Sequence, residues 1–95
     1  MKARLLIRER VRYADDSFIE MVVWRVPKPV PPTTHGLKYR LAYVVGGTRV
    51  LGYDNERGKG DHRHVEGRDE AYSFTTVDDL MARFVLEVEA LRRRR

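Results

Sequence analysis

The first half of the chain alternates between apolar and polar residues, as a strand of a β-sheet does. In residues 2–12 the apolar side chains Ala3, Leu5, Ile7 and Val11 alternate with the basic side chains Lys2, Arg4, Arg8, Arg10 and Arg12. A period of two with one charged face predicts a half-exposed antiparallel strand. Further strands are predicted over residues 18–26, 36–45 and 48–53, with turns at residues 14–17 and at Gly46–Gly47. The prolines of residues 27–32 should end the second strand, because proline cannot donate to a ladder.

The last part of the chain has the periodicity of a helix. Apolar residues recur at spacings of three and four from Val77 to Leu91, with Asp78 and Asp79 near the start and arginines at the end. This pattern predicts an amphipathic helix over residues 77–92, capped by Thr75 or Thr76. The predicted fold class is therefore α+β: an antiparallel four- to five-stranded sheet with one C-terminal helix packed on one face. Residues 69–75 are the candidate fifth strand.

Length and composition narrow the class of protein. The chain has 95 residues, of which 42% are hydrophobic and 35% charged, and it has no cysteine. We expect a single domain over residues 1–95, with a basic tail at 92–95. No apolar run approaches the roughly 20 residues of a membrane span, and the start lacks the apolar stretch of a signal peptide, so a cytoplasmic protein without a membrane partner is expected. Cysteine-based disulfides, metal sites and nucleophiles are excluded.

The net charge of +5 is distributed unevenly. Both ends are basic, whereas residues 69–91 are acidic. A basic strand favours phosphate-bearing partners, because cations that neutralise phosphates release condensed counterions. The residues predicted to bind RNA are Arg4, Arg8, Arg10, Arg57 and Arg63. The alternative is a solvated charged surface with a frayed tail.

Residues 52–68 are predicted to form a long loop that carries the chemistry. They have little apolar content and contain His62 and His64, and Lys59 stands between two glycines. A loop of this length in a small domain is more often functional than incidental. If the chain is extended there, both imidazoles lie on the same face. His35, which stands alone after the prolines, is expected at the surface.

Three interpretations of this loop remain open. In the first, His62 and His64 act as general base and acid on RNA, Lys59 or Arg63 stabilises the charged phosphorane, and Asp61 or Asp54 orients an imidazole. In the second, the two histidines and one of these aspartates hold a divalent metal. In the third, the loop is a glycine-rich turn whose charges pair with one another and with water. The first interpretation needs no metal and no cofactor, and it predicts His62, His64, Lys59 and Asp61 as catalytic residues.

The segment from Leu51 to His64, with the sequence LGYDNERGKGDHRH, resembles the central signature of the TumE-like proteins. These are small toxins of bacterial type II toxin–antitoxin systems. The resemblance extends over nearly the whole chain, but its specific part is Tyr53–His64. It implies a growth-inhibiting toxin that is neutralised by an antitoxin protein encoded beside it. The roles given above to individual residues come from their chemistry and not from this resemblance.

The resemblance and the charge pattern together predict the toxin component of a type II toxin–antitoxin system that acts as a small endoribonuclease. Cleavage would be metal-independent and would leave a 2′,3′-cyclic phosphate. A non-catalytic RNA- or protein-binding module is the alternative. A nucleotidyl- or phosphotransferase is less well supported, because the sequence lacks a paired carboxylate motif for two metals. Free sheet edges also predict pairing with a second copy of the chain.

Overall fold

The computed structural model of the chain describes residues 2–94 and shows one antiparallel sheet with one helix. The sheet has six strands in the order in which they occur along the chain, so each strand pairs with its sequence neighbours. The elements are β1 (Arg4–Arg12), β2 (Phe18–Arg25), β3 (Leu37–Val45), β4 (Thr48–Glu56), β5 (Gly60–Val65), β6 (Arg68–Ala71) and α1 (Val77–Arg93). The α+β class and the C-terminal helix are confirmed, whereas the predicted number of four to five strands is wrong.

The additional strand comes from the segment predicted as a loop. Residues 52–68 contain the end of β4, the whole of β5 and the first residue of β6. The turn between β4 and β5 is tight, with the Lys59 N–H donating to the Glu56 carbonyl over 3.1 Å. The prediction failed because the segment has almost no apolar alternation, although its backbone pairs in full register with β4.

Apolar residues of the central strands form the core on the sheet face that α1 covers. Leu41 and Tyr53 are paired across β3 and β4, and both are fully buried. The helix buries Leu80, Phe84 and Val88 against this face, with the Phe84 ring edge-on to Tyr53. We call this side the helix face and the opposite side the open face. Residues of the open face include Arg8, Arg10, Glu20, Trp24, Arg40, Gly52, Asp54, His62 and His64.

The helix ends as its sequence indicates. Thr76 is the N-cap, and its hydroxyl accepts the Asp79 N–H over 3.0 Å. At the other end Arg92 is anchored, because it donates to the Ser17 hydroxyl over 2.9 Å and lies over the Tyr13 ring. The predicted basic tail therefore begins inside the helix, and its last residue, Arg95, lies outside the described residues.

Strand β1 differs from its predicted form in two respects. It is one of the two edge strands and is exposed along nearly its whole length, with only Ile7 partly buried. The register also shifts between Leu5 and Ile7, which leaves Leu6 as an extra residue. Because a one-residue shift exchanges the faces of a strand, Arg4 lies on the opposite face from Arg8 and Arg10. The predicted single basic face is therefore wrong at Arg4.

Candidate functional site

Strand β5 distributes the predicted catalytic residues between the two faces of the sheet. His62 and His64 lie on the open face, paired with Asp54 and Gly52 of β4. Asp61 and Arg63 point to the helix face, since successive residues of a strand alternate. The structure therefore brings the two histidines to one face, as expected, and does not bring Asp61 to them.

His62 is buried, and both of its ring nitrogens have partners. Nδ1 lies 3.1 Å from the Gly60 carbonyl and Nε2 lies 2.6 Å from Asp54 Oδ1. A carbonyl only accepts, so Nδ1 carries a hydrogen. At Nε2 the contact with Asp54 is an ion-pair distance only, and Asp54 Oδ1 is buried without a hydrogen-bond partner among the described residues. The imidazole is therefore anchored through Nδ1 and faces the Asp54 carboxylate with Nε2.

The Asp54 carboxylate has a second cationic neighbour. Arg49 Nη1 donates to its Oδ2 over 3.1 Å. The Arg49 side chain reaches Asp54 by crossing Gly52, where an added Cβ would lie 3.0 Å from Arg49 Cδ. Glycine at position 52 thus leaves space for the arginine over the open face. The Arg49–Asp54–His62 cluster forms the floor of the candidate site.

Asp54, Glu56 and His62 are the described residues that could together hold a metal ion. Their ligand atoms all lie within 4.8 Å of one another, and one imidazole with two carboxylates suits zinc or manganese. This set shares His62 and Asp54 with the set considered from the sequence, but it includes Glu56 instead of His64. A metal bound by this set would need a ring nitrogen of His62 that carries no hydrogen, and it would compete with Arg49 for the Asp54 carboxylate.

His64 is the more accessible of the two imidazoles. Its Nδ1 lies 2.9 Å from Asp69 Oδ1, and among the described residues Nε2 has no partner. This hydrogen bond lowers the pKa of Asp69, as do the charges of His64, His62 and Lys59. Lys59 lies on the exposed turn that precedes β5. Lys59 and His62 also line a shallow depression with Asp69.

The loop that contains the prolines supports the turn that carries Lys59. The Pro31 carbonyl accepts the Gly58 N–H over 2.8 Å, and the Pro32 ring lies against Gly60. Arg57, a predicted RNA-binding residue, is exposed on the same turn. From the sequence these prolines were expected only to end β2, and no sequence pattern indicated their contact with the turn.

On the helix face, Asp61 belongs to a separate polar cluster. It accepts hydrogen bonds from the Tyr39 hydroxyl over 2.6 Å and from His35 Nε2 over 2.8 Å. Burial, followed by the hydrogen bond to Asp61, raises the pKa of Tyr39. His35 is packed against Phe74, with ring centroids 4.1 Å apart, so its expected surface position is wrong. A lone histidine after a proline loop gave no sign of a partner 26 residues away.

Arg63 connects the sheet to the helix. Its guanidinium donates to Glu70 over 2.6 Å and also to Glu87 of α1, and its side chain is largely buried. The Tyr53 hydroxyl donates to Glu87 and accepts from Arg83 Nε over 2.8 Å. Burial and the bond to Glu87 raise the pKa of Tyr53 to about 12. The predicted RNA-binding residue Arg63 is thus engaged in this clamp.

Arg8 and Arg10 lie on the open face near the other end of the sheet. They line a groove with Glu20, Val22 and Trp24. Arg10 lies 3.8 Å from Glu20, which is also 3.7 Å from Arg40, and the Arg10 guanidinium is stacked on Phe18. With strands about 4.8 Å apart, β1 and β5 are separated by roughly 19 Å. Arg8 and Arg10 are therefore too far from the histidines to contact them.

Comparison with known proteins identifies the family of the chain. The family model described as Toxin TumE matches residues 2–92. The chain belongs to the TumE toxin family. A toxin role follows from this membership, and the match includes every strand and nearly all of α1. Neither the curated proteins nor the solved structures contain a match to the chain. Within the described residues, no helix is long and apolar enough to cross a membrane.

Proposed function

We propose that this TumE-family chain is an endoribonuclease whose RNA substrate lies along the open face of the sheet, and that an antitoxin protein neutralises it. The observation that carries the proposal is the position of His64, which has Nδ1 on Asp69 and Nε2 without a partner among the described residues. A carboxylate on one ring nitrogen fixes the tautomer and makes the other nitrogen a base. Arg8, Arg10 and Arg40 on the same face supply cations for the phosphates.

In the proposed reaction, His64 Nε2 takes the proton of the RNA 2′-hydroxyl, and the 2′-oxygen attacks the adjacent phosphorus. The bond from phosphorus to the 5′-oxygen breaks, which leaves a 2′,3′-cyclic phosphate and a 5′-hydroxyl. Lys59 stabilises the charge on the phosphorane and gives a proton to the leaving oxygen. His62 is a positioning residue, because Asp54 and the Gly60 carbonyl hold both of its nitrogens. This assignment differs from the paired-imidazole hypothesis at His62 and does not use Asp61.

A cleavage assay in EDTA tests the proposal. The purified chain is incubated with a short synthetic RNA of mixed sequence, and the ends of the products are identified by mass spectrometry. We expect cyclic phosphate ends, a loss of about 10²–10⁴-fold in rate for His64→Ala, and RNA affinity within about twofold of the parent. Lys59→Ala should also lose activity, whereas its control, Lys28→Ala in an exposed loop, should not.

A loss of less than about tenfold for His64→Ala would contradict the catalytic role. Intact RNA bound by the parent chain and by every variant would favour a non-catalytic RNA-binding module instead. That alternative is supported by the Arg49–Asp54–His62 cluster, in which Asp54 and His62 are buried and lie against each other and Arg49. Activity that returns only with added manganese or zinc would assign Asp54, Glu56 and His62 to a metal.

A further inference from the structure

The edge strand β1 has an unpaired backbone edge, exposed apolar side chains and a high positive charge, which together indicate a docking site. Its outer side has no neighbouring strand in the sheet of the described residues, so its backbone groups are free to pair along nine residues. Apolar side chains at this edge are exposed: Leu5 by 40%, Leu6 by 41%, Val11 by 43% and the adjacent Trp24 by 37%. Such a strand is a template for pairing with another chain.

The charge of β1 indicates what kind of strand would pair with it. The strand carries four arginines and one glutamate, and among the described residues no ion pair is made by Arg4, Arg8 or Arg12. Among the described residues, the ion pairs of Arg10 are limited to the 3.8 Å contact with Glu20. Opposite charges directly across a strand pair stabilise it and like charges destabilise it. The complement of β1 is therefore an extended segment in which acidic residues alternate with apolar ones.

The same charges argue against pairing of β1 with a second copy of itself. Two antiparallel copies would bring two rows of arginines together, and the irregularity at Leu6 would interrupt their register. The opposite edge, β6, is also a poor partner because it has only four residues. Its acidic side chains Asp69 and Glu70 are already paired with His64 and Arg63. Among the described strands, neither edge of the sheet therefore favours the predicted pairing of two copies of the chain.

We propose that the antitoxin adds an acidic strand to β1, and that this strand holds Arg8 and Arg10 away from RNA. The inference rests on the proposed function, because it takes the antitoxin and the RNA from there. Neutralisation would then be competition for the basic end of the open face. The histidines at the other end of the sheet, roughly 19 Å away, need not be covered.

The probe is a fluorescent peptide of alternating glutamate and valine, nine residues long to match β1. Its binding to the full chain is measured by fluorescence anisotropy at low salt. We expect binding that weakens at least tenfold in the double variant Arg8→Glu/Arg10→Glu. The control Arg68→Glu/Arg93→Glu has the same change in charge on exposed residues of β6 and the end of α1, and should bind within about twofold of the parent.

Two further measurements test the strand geometry. The same peptide with every backbone nitrogen methylated cannot donate to a ladder and should not bind. Hydrogen exchange should show protection of the β1 amides when the unmodified peptide is present. Equal binding of the N-methylated peptide, or equal binding by Arg8→Glu/Arg10→Glu, would overturn the inference.

Peptide binding and RNA cleavage are measured separately, so the two proposals fail separately. If the chain binds the peptide but neither binds nor cleaves RNA, the docking site stands and the proposed ribonuclease falls. If the chain cleaves RNA but does not bind the peptide, the docking site alone is overturned. If both occur, the peptide should also displace RNA from the parent chain, and failure to displace it would overturn the competition.

Discussion

At the residue scale, the turn that carries Lys59 depends on two glycines, Gly58 and Gly60, which differ in the space available for a side chain. Gly58 has a φ of 87° with nothing within 4 Å of an added Cβ, whereas Gly60 has a φ of 78° and would place its Cβ 3.1 Å from Pro32 Cγ. Both positions strain an L-residue, and only at Gly60 would the new Cβ also come closer to a neighbour than ordinary van der Waals contact. We expect Gly58→Ala to lower the free energy of unfolding by about 1 kcal/mol and Gly60→Ala by about 2–3 kcal/mol.

Urea denaturation of the two variants measures this difference, and each serves as the control for the other. Equal losses would show that the proline loop does not hold the turn. The double variant Gly60→Ala/Pro32→Ala should recover part of the loss if the ring is the obstacle. Additivity of the two substitutions would contradict that explanation.

The buried hydroxyl of Tyr53 predicts a loss of stability in alkali. Its pKa is raised to about 12 by burial and by the hydrogen bond to Glu87, against about 10 in the unfolded chain. Below pH 10 both states keep the proton. Between pH 10 and 12 only the folded state keeps it, so the free energy of unfolding falls as the pH rises through this range. The part due to Tyr53 is at most about 2 kcal/mol, because the hydroxyl meets Arg83 at a partly solvated rim.

Chemical denaturation at intervals from pH 9 to pH 12 tests this prediction. Tyr53→Phe should have a shallower decline than the parent over this range, although it is less stable at neutral pH. Tyr13→Phe is the comparison, since the Tyr13 ring packs against Tyr43 and Arg92 and, among the described residues, forms no hydrogen bond with a carboxylate. A decline of identical slope in Tyr53→Phe and the parent would exclude Tyr53 as a source.

At the element scale, the clamp between β5 and α1 predicts unequal costs for two glutamates of the same helix. Glu87 accepts hydrogen bonds from Tyr53 and Arg63, whereas Glu89 is exposed. Glu87→Ala leaves a largely buried guanidinium and a buried hydroxyl with fewer partners, so we expect a loss of about 1–3 kcal/mol. Glu89→Ala should change stability by no more than about 0.5 kcal/mol. Thermal or urea unfolding compares them, and equal losses would refute the clamp.

The elements that the sequence predicted well are those with a regular apolar pattern. Helix α1 begins at the predicted residue and ends one residue later than predicted, because its apolar stripe and its N-cap both appear in the sequence. Strand β5 was missed, because the end of β4 that pairs with it carries buried polar residues instead of apolar ones. Asn55 is fully buried there, where its side chain accepts the Tyr39 N–H and donates to the Leu37 carbonyl. Only the fold reveals that such a residue is satisfied inside a sheet.

The candidate site could be predicted only as far as the spacing of residues within one strand determines it. His62 and His64 share a face because their spacing is two, which needs only an extended backbone. The partners of these histidines could not be read from the sequence, since they come from other strands: Asp54 from β4 and Asp69 from β6. Asp61 was expected beside the histidines and lies on the opposite face, because the alternation that unites two histidines separates the residue between or before them.

At the scale of the whole molecule, positive charge and candidate chemistry occupy different ends of one sheet face. The sheet order places Arg8 and Arg10 on the first strand and the histidines on the fifth. A bound RNA backbone would contact both ends, with the arginines fixing its position. This division predicts that substitutions at the basic end change affinity and its salt dependence, whereas substitutions at the histidine end change the rate of cleavage.

The double variant Arg8→Ala/Arg10→Ala tests this division through the salt dependence of RNA binding. Each phosphate contact on a single strand contributes about 0.7 to the slope of log affinity against log salt concentration, so removing two contacts should flatten the slope by about 1.4. Anisotropy of a fluorescent synthetic RNA, measured with His64→Ala so that the RNA stays intact, gives the slope. The control Arg68→Ala/Arg93→Ala removes the same charge away from the open-face groove and should leave the slope within about 0.3. If both double variants flattened the slope equally, binding would follow net charge alone. The proposal that RNA binds along the open face would then be wrong.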